Sequence, residues 1–193
     1  MKKAIFLLVC FTLSISAFSQ EHLTFKGVPI NGYLPDFVEE MKKKGFSLET
    51  VGDGTAWMEG NFLNEKCSLR MSVTPKSQLV YSVIVMLPKK DSWYSLKSSY
   101  EEIVAQYRKK YGKPFYFKED FLSPYYEGDG YELQALSLSK CLYGTYWKLT
   151  EGSILIGMGT STLLEGYLLI CYEDRINSLL NDQEKGDIIQ DEI

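Results

Sequence analysis

A chain of 193 residues with a formal net charge of −4, 45% hydrophobic residues and 14% aromatics has the make-up of a globular protein with a sizeable core. The acidic balance excludes the basic stripe of a nucleic-acid binder, because the basic runs 42–44 and 108–110 fall at predicted helix ends. A single histidine and four cysteines leave little material for metal or nucleophilic chemistry.

The first stretch reads as a leader rather than as part of the fold. Lys2 and Lys3 precede an apolar run from Ala4 to Ile15, and Ala17 and Ser19 place small residues where a signal peptidase reads. Cleavage is expected before Gln20, giving an exported chain in the periplasm or outside the cell. A lipid-modified Cys10 is the lesser reading, since Val9 stands where a small residue is needed. No later run approaches the roughly 20 apolar residues that span a bilayer.

A short strand follows, from Phe25 through Pro29 to the turn at Asn31-Gly32, with the proline suited to a sheet edge. Leu34, Phe37, Val38 and Met41 form one helical stripe, with Pro35 in the first turn and Gly45 past the end. A strand begins at Phe46, and Val51 to Gly54 make a turn. The segments Ala56–Leu63, Cys67–Thr74 and Leu79–Leu87 are predicted strands. In the second, Cys67, Leu69, Met71 and Val73 alternate with Ser68, Arg70, Ser72 and Thr74, one face buried and one wet. The third is apolar on both faces except at Ser82, which predicts a central strand.

The strongest pattern is Ser92–Pro114. Leu96, Tyr100, Ile103, Val104, Tyr107 and Tyr111 lie on one helical stripe, and Arg108, Lys109 and Lys110 complement the negative end of the dipole. Gly112 and Pro114 end the helix. Ser98 and Ser99 stand three residues before Glu101 and Glu102, which suggests a capping box. Strands are then predicted at Phe115–Glu119, Tyr131–Leu138, Cys141–Leu149, Ser153–Met158 and Glu165–Tyr172, with a hairpin turn at Glu151-Gly152.

Helix-then-strands therefore occurs twice. Lys66-Cys67 and Lys140-Cys141 each begin a predicted strand, and Leu79–Leu87 matches Leu164–Tyr172 in role. The expected fold is α+β: two tandem helix-plus-antiparallel-sheet repeats, residues 20–91 and 92–180, forming a two-layer sandwich. Residues 181–193 are expected to be an acidic, disordered tail.

The opening Phe25-Lys26-Gly27-Val28-Pro29-Ile30-Asn31-Gly32, the helix end Lys43-Lys44-Gly45-Phe46 and the later Lys110-Tyr111-Gly112-Lys113-Pro114 resemble a group of uncharacterised secreted proteins of gut-dwelling Gram-negative bacteria. The likeness covers about Leu23 to Leu180. The tandem plan is also similar in architecture to the β-lactamase inhibitory proteins. That likeness implies a module that binds another protein through its sheets, with no residue to carry over.

The chemical inventory points the same way. His22 stands close to the expected mature start, where a frayed or surface position is the plain expectation, so neither a Ser-His-Asp nor a Cys-His arrangement is readable. No Cys-x-x-Cys, His-x-x-x-His or phosphate loop occurs, and no cofactor or metal is expected. Glu127 and Asp129 beside Gly128 and Gly130 lack a regular calcium-loop spacing and read as an acidic turn. Cys67 and Cys141 are either buried free thiols or a disulfide joining the repeats, and Cys171 is left unpaired. The functional expectation is a non-enzymatic protein-binding module of the periplasm or envelope, engaging another exported or envelope protein. Its candidate surface is Tyr125 and Tyr126 of the loop 121–130 together with Tyr146, against the plainer reading that the loop rings fold onto the sheet. The alternative is a carboxylate-dependent hydrolase acting on a carbohydrate or peptide, which needs two acids in one cleft.

Overall fold

The computed structural model describes residues 21–162 and 164–191. The expected leader, with Cys10 and the cleavage before Gln20, lies outside the described residues. The chain opens with a small hairpin, β1 (Thr24–Phe25) and β2 (Val28–Pro29), and continues into α1 (Leu34–Lys43). Four strands follow: β3 (Ser47–Gly52), β4 (Thr55–Phe62), β5 (Glu65–Val73) and β6 (Val80–Met86). Then come α2 (Trp93–Tyr111), β7 (Tyr116–Phe121), α3 (Glu132–Ser137), β8 (Cys141–Lys148), β9 (Gly152–Thr162), β10 (Glu165–Asp174) and α4 (Arg175–Asp191).

The eight long strands form one antiparallel sheet in the order β3-β4-β5-β6-β10-β9-β8-β7. Mixed helices beside a large antiparallel sheet make the class α+β. Leu79–Leu87 was expected to be central, and β6 lies at the middle of the sheet beside β10. Edges are left at β3 and β7.

Alternation decides where the core sits. Met58, Leu69, Val85, Ile170, Ile156 and Thr145 are successive cross-strand partners from β4 to β8, and all are fully buried. Helix α2 packs over this face through Leu96, Tyr100, Ile103, Val104 and Tyr107. The Tyr100 hydroxyl meets Thr145 Oγ1 at 2.6 Å, the Tyr107 hydroxyl meets that of Tyr172, and the Tyr107 ring lies 5.9 Å from Trp147. Leu96 of α2 and Leu133 of α3 both lie over Gly166. On the same face, over the β3–β5 end of the sheet, α1 contributes Phe37, Val38 and Met41. Phe46, just past its end, lays its ring on Gly60, where a Cβ would come within 2.3 Å. Phe25 of the hairpin touches Phe46, Phe62 and Tyr172, so it links the two groups.

Several expectations need correction. Residues 131–138 hold the short helix α3, not a strand: Glu, Leu, Gln and Ala are strong helix formers, and Leu133 and Leu136 stand one turn apart. Helix α2 begins at Trp93 after Ser92, so Ser98 and Ser99 lie inside it and build no capping box. The disordered tail is also corrected, because α4 runs from Arg175 through Asp191. It is held by polar rather than apolar residues, with Asn177, Asn181 and Glu184 buried at helical spacing. Asn177 Nδ2 donates to the carbonyls of Val80 (2.8 Å) and Ile30 (3.3 Å), while Glu184 accepts from the backbone N–H of Lys76 (2.6 Å) and from the Ser77 hydroxyl.

His22 is not frayed. Its Nδ1 lies 3.0 Å from Oδ2 of the fully buried Asp174, which also accepts from the backbone N–H groups of Leu23 and Asn177. The Cys67–Cys141 disulfide is absent, and Cys67, Cys141 and Cys171 are free thiols. Cys67 is on β5 and Cys141 on β8, with β6, β10 and β9 between them. Neighbouring strands lie roughly 4.8 Å apart, so the separation far exceeds the ~7 Å Cα distance a disulfide tolerates.

Candidate binding face

The other half of each strand alternates onto the opposite side of the sheet. One row there runs Trp57, Arg70, Ile84, Cys171, Leu155, Tyr146 and Tyr116, each residue the cross-strand partner of the next. The adjacent row is Glu59, Ser68, Met86, Leu169, Gly157, Gly144 and Lys118. Apart from Gly157, every one of these residues is half-buried or exposed, with Leu155 at 39% and Tyr116 at 57%. Their opposite-facing neighbours in the central strands are covered completely. Two rows with apolar middles, Ile84 to Leu155 and Met86 to Leu169, thus stand on a face that carries no comparable helix layer among the described residues.

Arg70 stands among them with Trp57 on one side and Ile84 on the other. Its Nε is buried and has no hydrogen-bond partner among the described residues. A buried donor left unsatisfied costs roughly 1–3 kcal/mol, so this site favours an incoming acceptor. At the end of the sheet near Met86 a cleft of about 800 Å³ opens, lined by Phe46, Trp57, Met86 and Tyr167 with Glu59 and Lys66 among the polar groups. It continues the open face through Trp57, Glu59, Ser68 and Met86. Among the described residues Glu59 is the one carboxylate lining it, where paired-acid hydrolysis needs two.

The three tyrosines expected to converge are not brought together. Tyr125 is half-buried against the core on the helix side, and its hydroxyl accepts from Gln134 Nε2 of α3 at 3.4 Å. Tyr126 is 65% exposed and shares a shallow depression with Pro124, Tyr125, Asp129, Tyr131 and Gln134. Tyr146 stands on the open face between Leu155 and Tyr116. The loop pair and Tyr146 thus lie on opposite sides of the sheet. Sequence reasoning did not single out Trp57, Arg70 or the apolar β6 and β10 residues of the open face. The signal was present in Leu79–Leu87, where apolar residues on both faces mean one face lacks a polar finish.

Burial pushes the Cys67 thiol up to about 11 and the Cys141 and Cys171 thiols up to about 12, so all three stay protonated near neutral pH and are poor nucleophiles. Burial likewise raises Tyr100 and Tyr143 to about 12 and raises Tyr107 and Tyr172 further. In the acidic turn, Glu127 pairs with Lys97 while Asp129 accepts from the backbone N–H groups of Tyr126 and Tyr131. Among the described residues no group of three or more His, Cys, Asp or Glu is placed to hold a metal ion. No described helix is long and apolar enough to cross a membrane. Compared with known proteins, the chain matches no family model, no curated protein and no solved structure.

Proposed function

We propose that the chain is an exported, non-enzymatic protein-binding module of the periplasm or cell envelope, and that the partner seats on the open sheet face. One observation carries the reading: a row of Trp57, Arg70, Ile84, Leu155, Tyr146 and Tyr116 lies on an uncovered face, with an unsatisfied arginine nitrogen in its midst. Trp, Tyr and Arg are the residues that dominate protein interfaces when a partner desolvates them. Eight strands span roughly 34 Å, wide enough for the ~800 Å² per side of a stable interface. The partner's matching chemistry is an apolar patch around a carboxylate that reaches Arg70.

The fold is read in the same spirit as two tandem repeats, α1 with β3–β6 and α2 with β7–β10, in a two-layer sandwich. The support is the strand order, which reads symmetrically outward from β6 and β10. In that scheme β8 corresponds to β4 and β9 to β5, so the two Lys-Cys pairs are not equivalent positions.

The test uses the mature chain as bait in native envelope extracts, beside the variants Arg70→Gln and Leu155→Ser. Capture of one protein by wild type, lost in both variants at unchanged melting temperature, supports the open face. Equal capture by all three overturns it. Mass spectrometry of the exported form should find a chain starting at Gln20 or within about three residues of it. A full-length chain retained inside the cell removes the export part of the reading.

A further inference from the structure

The two edges of the sheet are finished differently. Strand β3 carries a bulge between Leu48 and Thr50, a device that spoils an edge for further pairing. Strand β7 pairs with β8 in unbroken register from Tyr116 to Phe121 and has no such guard. Three consecutive aromatics at its start, Phe115, Tyr116 and Phe117, are 71%, 57% and 54% exposed. The chain order of β7 and the next residue is Tyr116, Phe117, Lys118, Glu119, Asp120, Phe121, Leu122. In chemical terms it reads apolar, apolar, cation, acid, anion, apolar, apolar, and is nearly the same in reverse.

We infer that β7 is a self-pairing edge, at which a second copy of this chain adds antiparallel about a two-fold axis through Glu119. In that register residues whose numbers sum to twice 119 face each other and share a side of the sheet. Lys118 then faces Asp120 of the second copy, and the exchange occurs twice. Tyr116 faces Leu122 and Phe117 faces Phe121, also twice. Lys118 and Asp120 already share a side, with Nζ 3.5 Å from Oδ2 within one chain, so both are placed to exchange partners. Leu122, at 39%, is exposed as the pairing requires. The one mismatch is Glu119 against itself on the axis. That repulsion limits the affinity and gives the proposal an independent handle. The inference uses the edge of the sheet and shares Tyr116 and Lys118 with the open face, while its charge-reversal test reads self-association alone.

Sedimentation of the mature chain from about 1 µM to about 1 mM is expected to show a monomer–dimer equilibrium. Lys118→Asp sets like charges against each other twice, as does Asp120→Lys, and each is expected to weaken dimerisation about tenfold or more. The diagnostic step is mixing. A Lys118→Asp chain and an Asp120→Lys chain restore both ion pairs in the heterodimer alone, so the mixture should dimerise where each variant by itself does not. Glu119→Gln should tighten the wild-type dimer. Unaltered circular dichroism controls for folding, since all three positions lie on an edge strand. A chain monomeric across the whole range overturns the inference, as does a dimer indifferent to the charge reversals. Failure of the mixture to recover the dimer shows a different occupant or register and also overturns it.

Discussion

The two faces of the sheet are built from alternate residues of the same strands and meet opposite fates. In β8, Cys141, Tyr143, Thr145 and Trp147 are buried beneath α2 and α3, while Leu142, Tyr146 and Lys148 stand on the other side half-buried or exposed. In β5 the open side is polar, with Ser68 and Arg70 half-buried and Ser72 buried. In β6 and β10 it is not: Ile84, Met86, Tyr167 and Leu169 occupy it. The middle of the sheet therefore has apolar material on both sides and a helix layer on only one. A contiguous exposed apolar patch on a folded chain marks an interaction surface more often than it marks an accident.

The largest test sets the same substitution on both faces. Ile103 is buried at 6% exposure where α2 meets the sheet, whereas Leu155 is 39% exposed on the open side. Ile103→Asp is expected to destabilise by on the order of 4 kcal/mol, because an unpaired carboxylate enters the core. Leu155→Asp should cost less than about 1 kcal/mol, since its carboxylate remains hydrated. Urea midpoints measure both. Equal midpoints would mean the two faces are not distinguished as described.

Glycines give a smaller version of the comparison. Gly60→Ala drives a methyl group into the Phe46 ring on the packed side, 2.3 Å from its nearest atom, and should cost about 1–3 kcal/mol. On the open side a Cβ at Gly144 meets nothing nearer than 3.9 Å. Gly144→Ala should therefore be neutral or stabilise by about 0.5 kcal/mol, by restricting the unfolded chain. A thermal melt of each variant decides the sign.

Helix α4 belongs to neither face in the ordinary way, since the Glu184 carboxylate and the Asn177 amide anchor it. Burial by itself would raise the Glu184 carboxyl. The Ser77 hydroxyl, the backbone N–H groups of Lys76 and Ser77 and the Lys76 ammonium together hold it below the usual range. A depressed folded pKa means stability that is present above the ordinary carboxyl range, near pH 4.3, and lost as pH falls through the folded value. Glu184→Gln is accordingly expected to lower the melting temperature at neutral pH and to converge on wild type in acid. A gap between the two that stays constant with pH would show that the carboxylate charge is irrelevant to docking α4.

Legibility in the sequence tracked the source of each element's stability. Helices α1 and α2 and the six inner strands β4, β5, β6, β8, β9 and β10 follow apolar periodicity, because burial is what makes them, whereas the edge strands β3 and β7 have no buried residue. Helix α4 was illegible because its buried stripe is Asn177, Asn181 and Glu184, which any hydrophobic pattern scores as solvent-facing. Helix α3 was misread because alternation over Tyr131, Leu133 and Ala135 mimics a strand until Leu136 breaks it. The open face was half legible. Alternation along β8 alone sets Tyr146 opposite Tyr143 and Trp147, but the joining of Trp57, Arg70 and Ile84 to Leu155 and Tyr146 depends on β6 meeting β10. That is a contact between distant parts of the chain which no local pattern encodes.

The smallest effect concerns the helix that makes the packed face. A capping box at Ser98 or Ser99 would give the Glu101 or Glu102 carboxylate a share in starting α2, worth about 1 kcal/mol. Helix α2 instead begins two turns earlier, after Ser92, and the backbone N–H of Leu96 donates to the Ser92 carbonyl at 3.0 Å. Glu102 is exposed on the solvent side, and its one side-chain contact is a 3.4 Å bond from Gln106 Nε2. Such an i,i+4 pair contributes about 0.2–0.5 kcal/mol, and alanine's higher helix propensity recovers part of it. Glu102→Ala is therefore expected to shift the urea midpoint by less than half a kilocalorie's worth, while Ile103→Asp next to it nearly abolishes the fold. A loss near 1 kcal/mol at Glu102 would put the helix start at Ser98 or Ser99 after all. It would also shorten the part of α2 that covers Gly166 and Thr145.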